Sequence, residues 1–414
     1  MNIQKVKIGY WFSTIVIDLM LLVYLSYTKL LGGIIPILDG DSYIPQIFTI
    51  FSIFLLVIIN GIPRKSFLIF ECLFLLVIVF GGTFTGLSNV SNDEKVIIYL
   101  RAFNYIYIFL AVPIAMEIKK NKVELRNFLK KLVILCLGSL TFRTIISLYF
   151  SLSGKVIFSN IAEENAVSMW LRNDRLRVNP PCLVLIFVPI VFYLLITTKS
   201  VRNKIGWVMA LVLGIMYSAF IHQSRAMLIY QVCTLILMYL LQNVSNRKTI
   251  LRWCILLFAI VIVVNTSFFN DFIDTFSTNN SAYGNSTSLR LLTYGYVFQR
   301  LLENPFSGSG IIVDTTSVFG ADLSDIGIFY SISMFGIFMI VVFVFIFSRT
   351  LYITKKLKDC KLRNESILIL GMTVQVLLIG INIDCFYPIF SFAVPFFIGI
   401  SEGIYLKSNS YFKS

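Results

Sequence analysis

Long runs of apolar residues follow one another along the 414-residue chain, and they constrain its fold more than any other feature. A helix needs roughly 20 apolar residues to cross the bilayer's hydrocarbon core, which is about 30 Å thick. The runs are continuous and do not alternate with period two, which excludes a membrane β-barrel. They predict twelve transmembrane helices, near residues 10–31, 44–62, 67–86, 97–118, 132–153, 179–198, 205–222, 225–242, 253–270, 326–348, 366–384 and 388–406.

The composition agrees with this class. Hydrophobic residues make up 57% of the chain and charged residues 14%, whereas soluble proteins average roughly 45–50% apolar and about 25% charged residues. This difference excludes a water-soluble enzyme, and the scarcity of polar or repetitive segments excludes disordered, collagen-like and coiled-coil chains. The sequence therefore predicts an all-α polytopic membrane protein, with residues 1–414 forming a single integral membrane domain.

The positions of Lys and Arg predict the orientation, because cytoplasmic loops are enriched in both. With the N-terminus in the cytoplasm, 24 of the 35 basic residues fall in cytoplasmic segments, including clusters of six at 119–131 and 349–363. The opposite phase would place both clusters outside, so we expect both termini in the cytoplasm. No small-residue cleavage site follows the first run, which we expect to remain in the mature protein.

Two longer segments, 154–178 and 271–325, are external in this topology, and the second is the longest polar stretch of the chain. Because the cytoplasmic links are short and basic, we expect the chemistry on the external side. The formal charge of +14 divides into +17 inside and −3 outside, so topology explains it without a nucleic-acid partner. The seven cysteines are scattered without a Cys-x-x-Cys pair, so we interpret them as structural thiols and predict no disulfide framework and no metal site.

Arginine is over-represented on the predicted external side, where 8 of the 11 basic residues are Arg, against 7 of 24 inside. Lys can supply the charge that topology requires, whereas a guanidinium group binds phosphate or carboxylate with two parallel hydrogen bonds. The pattern indicates an external anion site, and a lipid-linked phosphate is the anion most available there. Ion pairs with external acids and contacts with lipid headgroups are the alternative interpretation.

Arg225 is the strongest candidate of this set. It ends the sequence His222-Gln-Ser-Arg225, in a tight turn between two apolar runs. A charge so close to hydrocarbon is costly and therefore indicates function, although the side chain could instead extend to the membrane interface. His222, the only histidine, is a candidate general base or an interfacial hydrogen-bonding residue.

Arg290 lies in a second candidate element. Asn285-Ser-Thr-Ser288 offers helix N-caps, and the stretch that follows predicts an amphipathic helix ended by Pro305. Arg290 would lie in the first turn, where the helix dipole favours a bound phosphate, unless this face is simply solvated. Arg300 is a weaker candidate, two or three turns further along the same helix.

Each of the other external arginines has a functional interpretation, as part of an anion site, and a structural one. Arg143, near the middle of the fifth run, and Arg101, at the outer end of the fourth, would each line a cavity or pair with a buried acid. The cluster Arg172-Asn-Asp-Arg-Leu-Arg177 is interpreted as a solvated loop.

Asp325 stands where the long external loop enters the tenth run. A carboxylate at this boundary could act as a base or pair with an arginine, and it is equally placed to cap the next helix. Gly308-Ser-Gly310 is interpreted as a flexible turn, since it lacks the Gly-Lys-Ser/Thr ending of a P-loop. Asp39-Gly-Asp41 is an external Asp-x-Asp pair, but it lies in a short first loop and is not interpreted as a metal site.

Together these elements resemble the O-antigen polymerase and O-antigen ligase superfamily of bacterial envelope polysaccharide assembly. The resemblance covers roughly residues 200–350, and the remainder only by its twelve spans and large external loop. It is carried by Ser224-Arg225, Arg290, Asn304-Pro-Phe-Ser-Gly-Ser-Gly310 and the spacing of eleven residues from Asp325 to Gly336.

The resemblance implies a metal-independent glycosyltransferase of the bacterial inner membrane, without a cofactor and similar in fold to other lipid-phosphosugar-dependent membrane transferases. In that family two external arginines contact the diphosphate of an undecaprenyl-linked glycan. Arg225 and Arg290 match them by position, and Arg143 is a further candidate. Ligases carry a His where this chain has Asp325, which favours the polymerase branch, with Asp325 or else His222 as the base.

The implied substrate is an undecaprenyl-diphosphate-linked oligosaccharide, and the implied product an O-antigen, capsule or exopolysaccharide. The other partners considered are membrane lipid and a chain-length regulator protein. An O-antigen ligase-type transferase and a lipid-linked oligosaccharide flippase or other transporter remain the alternatives. Transporters tend to consist of two related halves, whereas segment 271–325 has no counterpart in the first half of this chain.

Overall fold

The structure is a computed structural model, and most of the residues that it describes are helical. These residues are 18, 21, 43–60, 73–74, 76–88, 90–119, 125–157, 171–172, 175–242, 274, 284–311, 326–386 and 393–411.

The α-helices of these residues are numbered in chain order. They are α1 (Tyr43–Asn60), α2 (Phe84–Ser88), α3 (Asn92–Asn104), α4 (Ala111–Lys119), α5 (Leu125–Ser153), α6 (Val184–Thr197), α7 (Val201–Met216), α8 (Arg225–Leu241), α9 (Gly284–Glu303), α10 (Ile328–Phe335), α11 (Ile337–Asp359), α12 (Arg363–Gly380) and α13 (Ala393–Tyr411).

Shorter elements extend or join these helices. Val77–Thr83 and Tyr217–Ile221 are π-helical, and Tyr105–Leu110 is a 3₁₀ helix. The strands β1 (Leu171–Arg172) and β2 (Arg175–Leu176) form a small antiparallel ladder.

Several helices are long and apolar enough to cross a membrane. Among the described residues there are four: α5, α7 with its π-helical end, α11 and α12. The apolar helices α6 and α8 are shorter, with 14 and 17 residues. The described part of the chain is thus a helical protein with candidate membrane-spanning helices. The predicted run 253–270, Asp39-Gly-Asp41 and most of run 10–31 lie outside the described residues.

Helix α6 lies at the centre of the bundle. Its sequence is apolar on all sides, which is typical of a helix surrounded by protein, and each residue from Val184 to Leu194 is buried. It packs against α5, α7, α8, α12 and α13. The helices α6 and α12 run in opposite directions: Gln375 Nε2 donates to the carbonyl of Val184 at one end, and the Tyr193 hydroxyl donates to Glu365 at the other.

Close packing of α4 against α13 depends on two glycines spaced four residues apart. A Cβ at Gly399 or Gly403 would meet the carbonyl of Ala111 or Ala115 and a neighbouring isoleucine of α4. Small residues at this spacing let helix backbones approach closely, as they do between helices in membranes. The same helix α13 is tied to α11 by Arg349, whose Nε and Nη2 donate to the Glu402 carboxylate at 2.6 and 3.1 Å.

A break at Gly336 separates α10 from α11, and the loop that follows α9 fills it. The carbonyls of Ser333 and Met334, at the end of α10, accept from the amides of Ser309 and Gly310 at 2.8 and 3.0 Å. The amide of Ile337, at the start of α11, donates to the carbonyl of Pro305 at 2.8 Å. The loop thereby provides partners for backbone groups that a helix end leaves without intrahelical bonds.

This arrangement corrects two expectations. The predicted run 326–348 is divided between two helices, and α11 continues to Asp359. The predicted turn at Gly308-Ser-Gly310 is present, but it is closely packed and not open to solvent: both glycines are buried, and a Cβ at either would collide with backbone atoms. Both glycines have positive φ, 66° and 77°, which glycine adopts without strain.

Replacing Gly336 by Ala should destabilise the protein by about 2 kcal/mol or more. Its φ of 68° and ψ of −158° lie in a region that is essentially restricted to glycine, and the added Cβ would meet the Phe306 carbonyl. The measurement is the Tm of the purified protein in detergent.

Gly295→Ala is the matched control, since Gly295 is exposed within α9 and has open space around the position of a Cβ. Alanine there should be neutral or stabilise the protein by up to about 1 kcal/mol. Equal Tm values for the two variants would contradict the break at Gly336.

Candidate functional site

The turn between α7 and α8 contains the sequence His222-Gln-Ser-Arg225. The amide of His222 donates to the Tyr217 carbonyl at 2.9 Å, the five-residue spacing of a π-helix. Gln223 then adopts a φ of 51° and reverses the chain. The Ser224 hydroxyl caps α8 by accepting from the Met227 amide at 3.4 Å. We call this end of the bundle the His222 end.

Arg225 is the first residue of α8, where its charge is opposed by the positive end of the helix dipole. A cation at this position weakens an isolated helix. The guanidinium and the amides of the first turn together create a positive electrostatic potential at the start of α8. An anion bound there would relieve the repulsion. The half-buried position of Arg225 therefore supports the predicted anion site.

An extended segment, residues 176–179, crosses the His222 end beside this turn. Its buried carbonyls accept hydrogen bonds from side chains of α5 and of the π-helical segment. The donors are Ser147 Oγ to Leu176 at 2.7 Å, Arg143 Nη1 to Asn179 at 2.6 Å and the Tyr217 hydroxyl to Val178 at 2.9 Å.

This segment places Arg177 against His222. The Nε of Arg177 donates to the His222 carbonyl at 2.9 Å, and its Nη2 lies 3.3 Å from the Nε2 of His222. His222 is buried, with 3% of its surface exposed. The interpretation of Arg177 as part of a solvated loop is therefore wrong. Arg172 and Arg175, from the same cluster, pair in the β1–β2 ladder.

Arg290 lies on α9, an amphipathic helix that ends before Pro305, as predicted. The helix begins at Gly284, so residues 285–288 lie inside it and do not cap it. The expectation that Arg290 lies in the first turn is therefore wrong, because it is the seventh residue of the helix. Arg290 is close enough to Tyr230 of α8 to act on it electrostatically, as is Tyr294. The Tyr294 hydroxyl donates to the carbonyl of Ile381, just after α12, at 2.9 Å. Thus α9 is held against the His222 end by the residue one turn after Arg290.

Arg143, by contrast, is used within the protein framework. It is 6% exposed, and besides its bond to the Asn179 carbonyl its Nε lies 3.4 Å from the Ser139 hydroxyl. These contacts give it a part in positioning segment 176–179. Its predicted contact with a diphosphate stays a prediction.

The other predicted residues lie elsewhere. Arg300 stacks over the ring of Tyr296 on its own helix, 5.3 Å from the ring centroid. Arg101 is in the last turn of α3, which packs against the helical segments on either side of it in sequence. Asp325 lies outside the described residues. The helix that follows has Gly327 as its N-cap, and the predicted capping role of Asp325 stays a prediction.

Asp384 is a residue that the sequence interpretation did not select. It is fully buried after α12, where Oδ2 accepts from the Ser331 hydroxyl of α10 at 2.5 Å and Oδ1 accepts from the Phe386 amide at 2.9 Å. It thereby links the end of α12 to α10. The signal was an acid at the end of an apolar run, which marks a functional candidate in a membrane protein.

At the His222 end, Arg177 thus bonds to the buried His222, Arg225 begins the helix after this turn, and Arg290 lies near Tyr230 of that helix. Guanidinium groups near a helix N-terminus are suited to bind an anion such as phosphate. Over the part of the chain that the structure describes, no three His, Cys, Asp or Glu side chains are grouped as a metal site would require.

No family model matches the chain, and no curated protein matches it. The interpretation of this site therefore depends on the chemistry of its own residues.

Replacing Arg143 by Ala should destabilise the protein by about 2 kcal/mol or more. The substitution removes a charged donor from the partly buried carbonyl of Asn179, and such a hydrogen bond contributes about 1.5–3 kcal/mol. The Tm of the purified protein measures the effect. Lys155→Ala is the control, because Lys155 is exposed just after the same helix. A parental Tm for Arg143→Ala would contradict the framework role.

Proposed function

We propose that this chain is a polysaccharide polymerase, a metal-independent glycosyltransferase that joins undecaprenyl-diphosphate-linked oligosaccharide repeat units. The observation that carries the proposal is that Arg290 of α9, distant in sequence, lies near Tyr230 of α8, the helix that Arg225 begins. These are the two arginines that the resemblance matches to diphosphate-binding residues. The product would be an O-antigen, capsule or exopolysaccharide.

The proposal includes the full predicted topology, with twelve spans in the bacterial inner membrane and both termini in the cytoplasm. The His222 end then faces outward, because the turn at Ser224 follows a span that begins at the basic cytoplasmic link 199–204. The long loop 271–325 lies on the same side and contains α9. An outward-facing site would receive repeat units that have already crossed the membrane.

The arginines would act on the leaving group. In the proposed reaction a hydroxyl of the acceptor sugar attacks the anomeric carbon of the donor sugar, and the bond from that carbon to the diphosphate oxygen breaks. Negative charge develops on the departing undecaprenyl diphosphate, where Arg225 and Arg290 would stabilise it in the transition state. Arg177 would support the site indirectly through its bonds to His222.

The acceptor proton requires a base, for which Asp325 is the first candidate and His222 the second. His222 is held by Arg177, whose Nη2 lies 3.3 Å from the Nε2 of the imidazole. Asp384 is buried too deeply to contact the acceptor and would instead position α10, the helix that follows Asp325.

Replacing Arg225 or Arg290 by Ala should abolish polymer and cause single repeat units to accumulate. Loss of one donor that stabilises transition-state charge typically lowers the rate by about 10²–10³-fold. The measurement is the chain-length distribution of surface polysaccharide in a deletion strain that expresses each variant at matched protein levels.

Arg300→Ala is the matched control, because Arg300 lies on the same helix as Arg290 and stacks on Tyr296. We expect near-parental chain lengths for this variant. Normal chains in both the Arg225 and the Arg290 variant would refute the assignment.

A deletion strain separates the polymerase from the flippase. Loss of a polymerase should leave glycan one repeat unit long at the outer surface, since export and attachment of single units continue. Glycan retained inside the cell would instead identify a flippase. Surface labelling of intact cells, followed by size separation of the labelled glycan, distinguishes the two results.

A further inference from the structure

A group of uncharged polar side chains lies inside the bundle, below the His222 end. The buried face of α8 consists of Met227, Gln231, Thr234 and Met238. Both polar members of this face are fully buried, and so is Gln375 of α12. Gln375 Nε2 bonds to the Val184 carbonyl of α6, and the remaining polar atoms of the three side chains require an explanation.

Several polar atoms of these three side chains lack hydrogen-bond partners among the described residues. No described residue makes a hydrogen bond to the side-chain amide of Gln231, to the hydroxyl of Thr234 or to Oε1 of Gln375. Thr234 also lacks the bond to the carbonyl four residues earlier that other helical threonines form here, as Thr373 does at 2.7 Å. Buried polar atoms without partners are uncommon and often mark an internal water molecule.

The helix geometry places Thr234 and Gln375 at the same level. Met238 of α8 faces Gly371 of α12, where a Cβ would meet the methionine side chain. The two helices run in opposite directions, since Arg363 at the start of α12 donates to the Leu241 carbonyl at the end of α8. Thr234 and Gln375 each lie four residues from that contact, about 6 Å along their helices.

An apolar cluster lies next to Thr234 and Gln375, on the side away from the His222 end. Phe192 of α6, Met238 of α8 and Ile367 of α12 pack together at the junction of the three helices. Gln375 Nε2 is fixed by the Val184 carbonyl of α6 at 3.1 Å. The remaining atom, Oε1, is an acceptor beside the same junction.

We propose that Gln231, Thr234 and Gln375 form a binding site for buried water between α6, α8 and α12. Two carboxamides and a hydroxyl supply both donors and acceptors without charge, which suits a neutral molecule. A buried water makes about three hydrogen bonds, typically to groups that would otherwise be unsatisfied. The site lies about 9–14 Å along α8 from Arg225, and it is independent of the proposed catalytic activity.

The proposed water site is tested by whether two substitutions lower or raise the Tm of the protein. Thr234→Val and Gln231→Leu should each lower the Tm by roughly 2–4 °C, because each removes a partner of the bound water. The two losses should also be less than additive in the double variant, since both side chains share the same water. Thr373→Val, whose hydroxyl bonds only within its own helix, is the control and should change the Tm less.

If the polar groups were simply unsatisfied, apolar side chains of similar shape would leave the Tm unchanged or raise it, and either result would overturn the proposal. A high-resolution density map of the parent protein provides a test that does not depend on variant folding. A density peak about 2.7–3.2 Å from both Gln231 and Thr234 would support the site. Its absence from a map that resolves other buried waters would refute it.

Discussion

A backbone amide or carbonyl buried away from water must find a partner within the protein, and in a bilayer that requirement applies along the whole span. The helices meet it internally, whereas the break at Gly336 and segment 176–179 do not. At the break, amides of the loop after α9 bond to the carbonyls that α10 leaves open. In segment 176–179, side chains of Arg143, Ser147 and Tyr217 supply the donors. In these two segments, irregular backbone is satisfied by other elements, and segment 176–179 borders the candidate site.

The charged side chains at the His222 end, like the buried backbone groups, require partners. A guanidinium group near hydrocarbon is costly unless it has partners. Arg177 bonds to His222, and Arg143 bonds to the Asn179 carbonyl. Arg225 begins a helix whose dipole opposes its charge. In the proposed function, a bound diphosphate would compensate both the dipole and the guanidinium.

The sequence predicted the helices with clear local signals and missed features that depend on tertiary contacts. The bounds of α8 followed from apolar patterning and the end of α9 from Pro305, whereas α9 begins before its predicted caps. Hydropathy could not reveal the break at Gly336, since the residues on both sides are equally apolar. The Arg177–His222 contact joins residues 45 apart through a segment fixed by other helices. Asp384 was hidden because its partner Ser331 lies 53 residues away.

The proposed lipid-linked substrate places a further demand on the site, since its diphosphate must reach the arginines while its hydrocarbon chain stays in the membrane. The exposed side chains Met216 and Phe220 precede the His222 turn directly, with 48% and 50% of their surface exposed. An apolar chain could lie along this face of α7 while the headgroup turns over His222 towards Arg225. The buried face of α8 offers no such path, because Met238 and Phe192 close the junction between α6, α8 and α12. The lipid is therefore expected to approach from the side of the bundle, and the glycan from the aqueous surface above it.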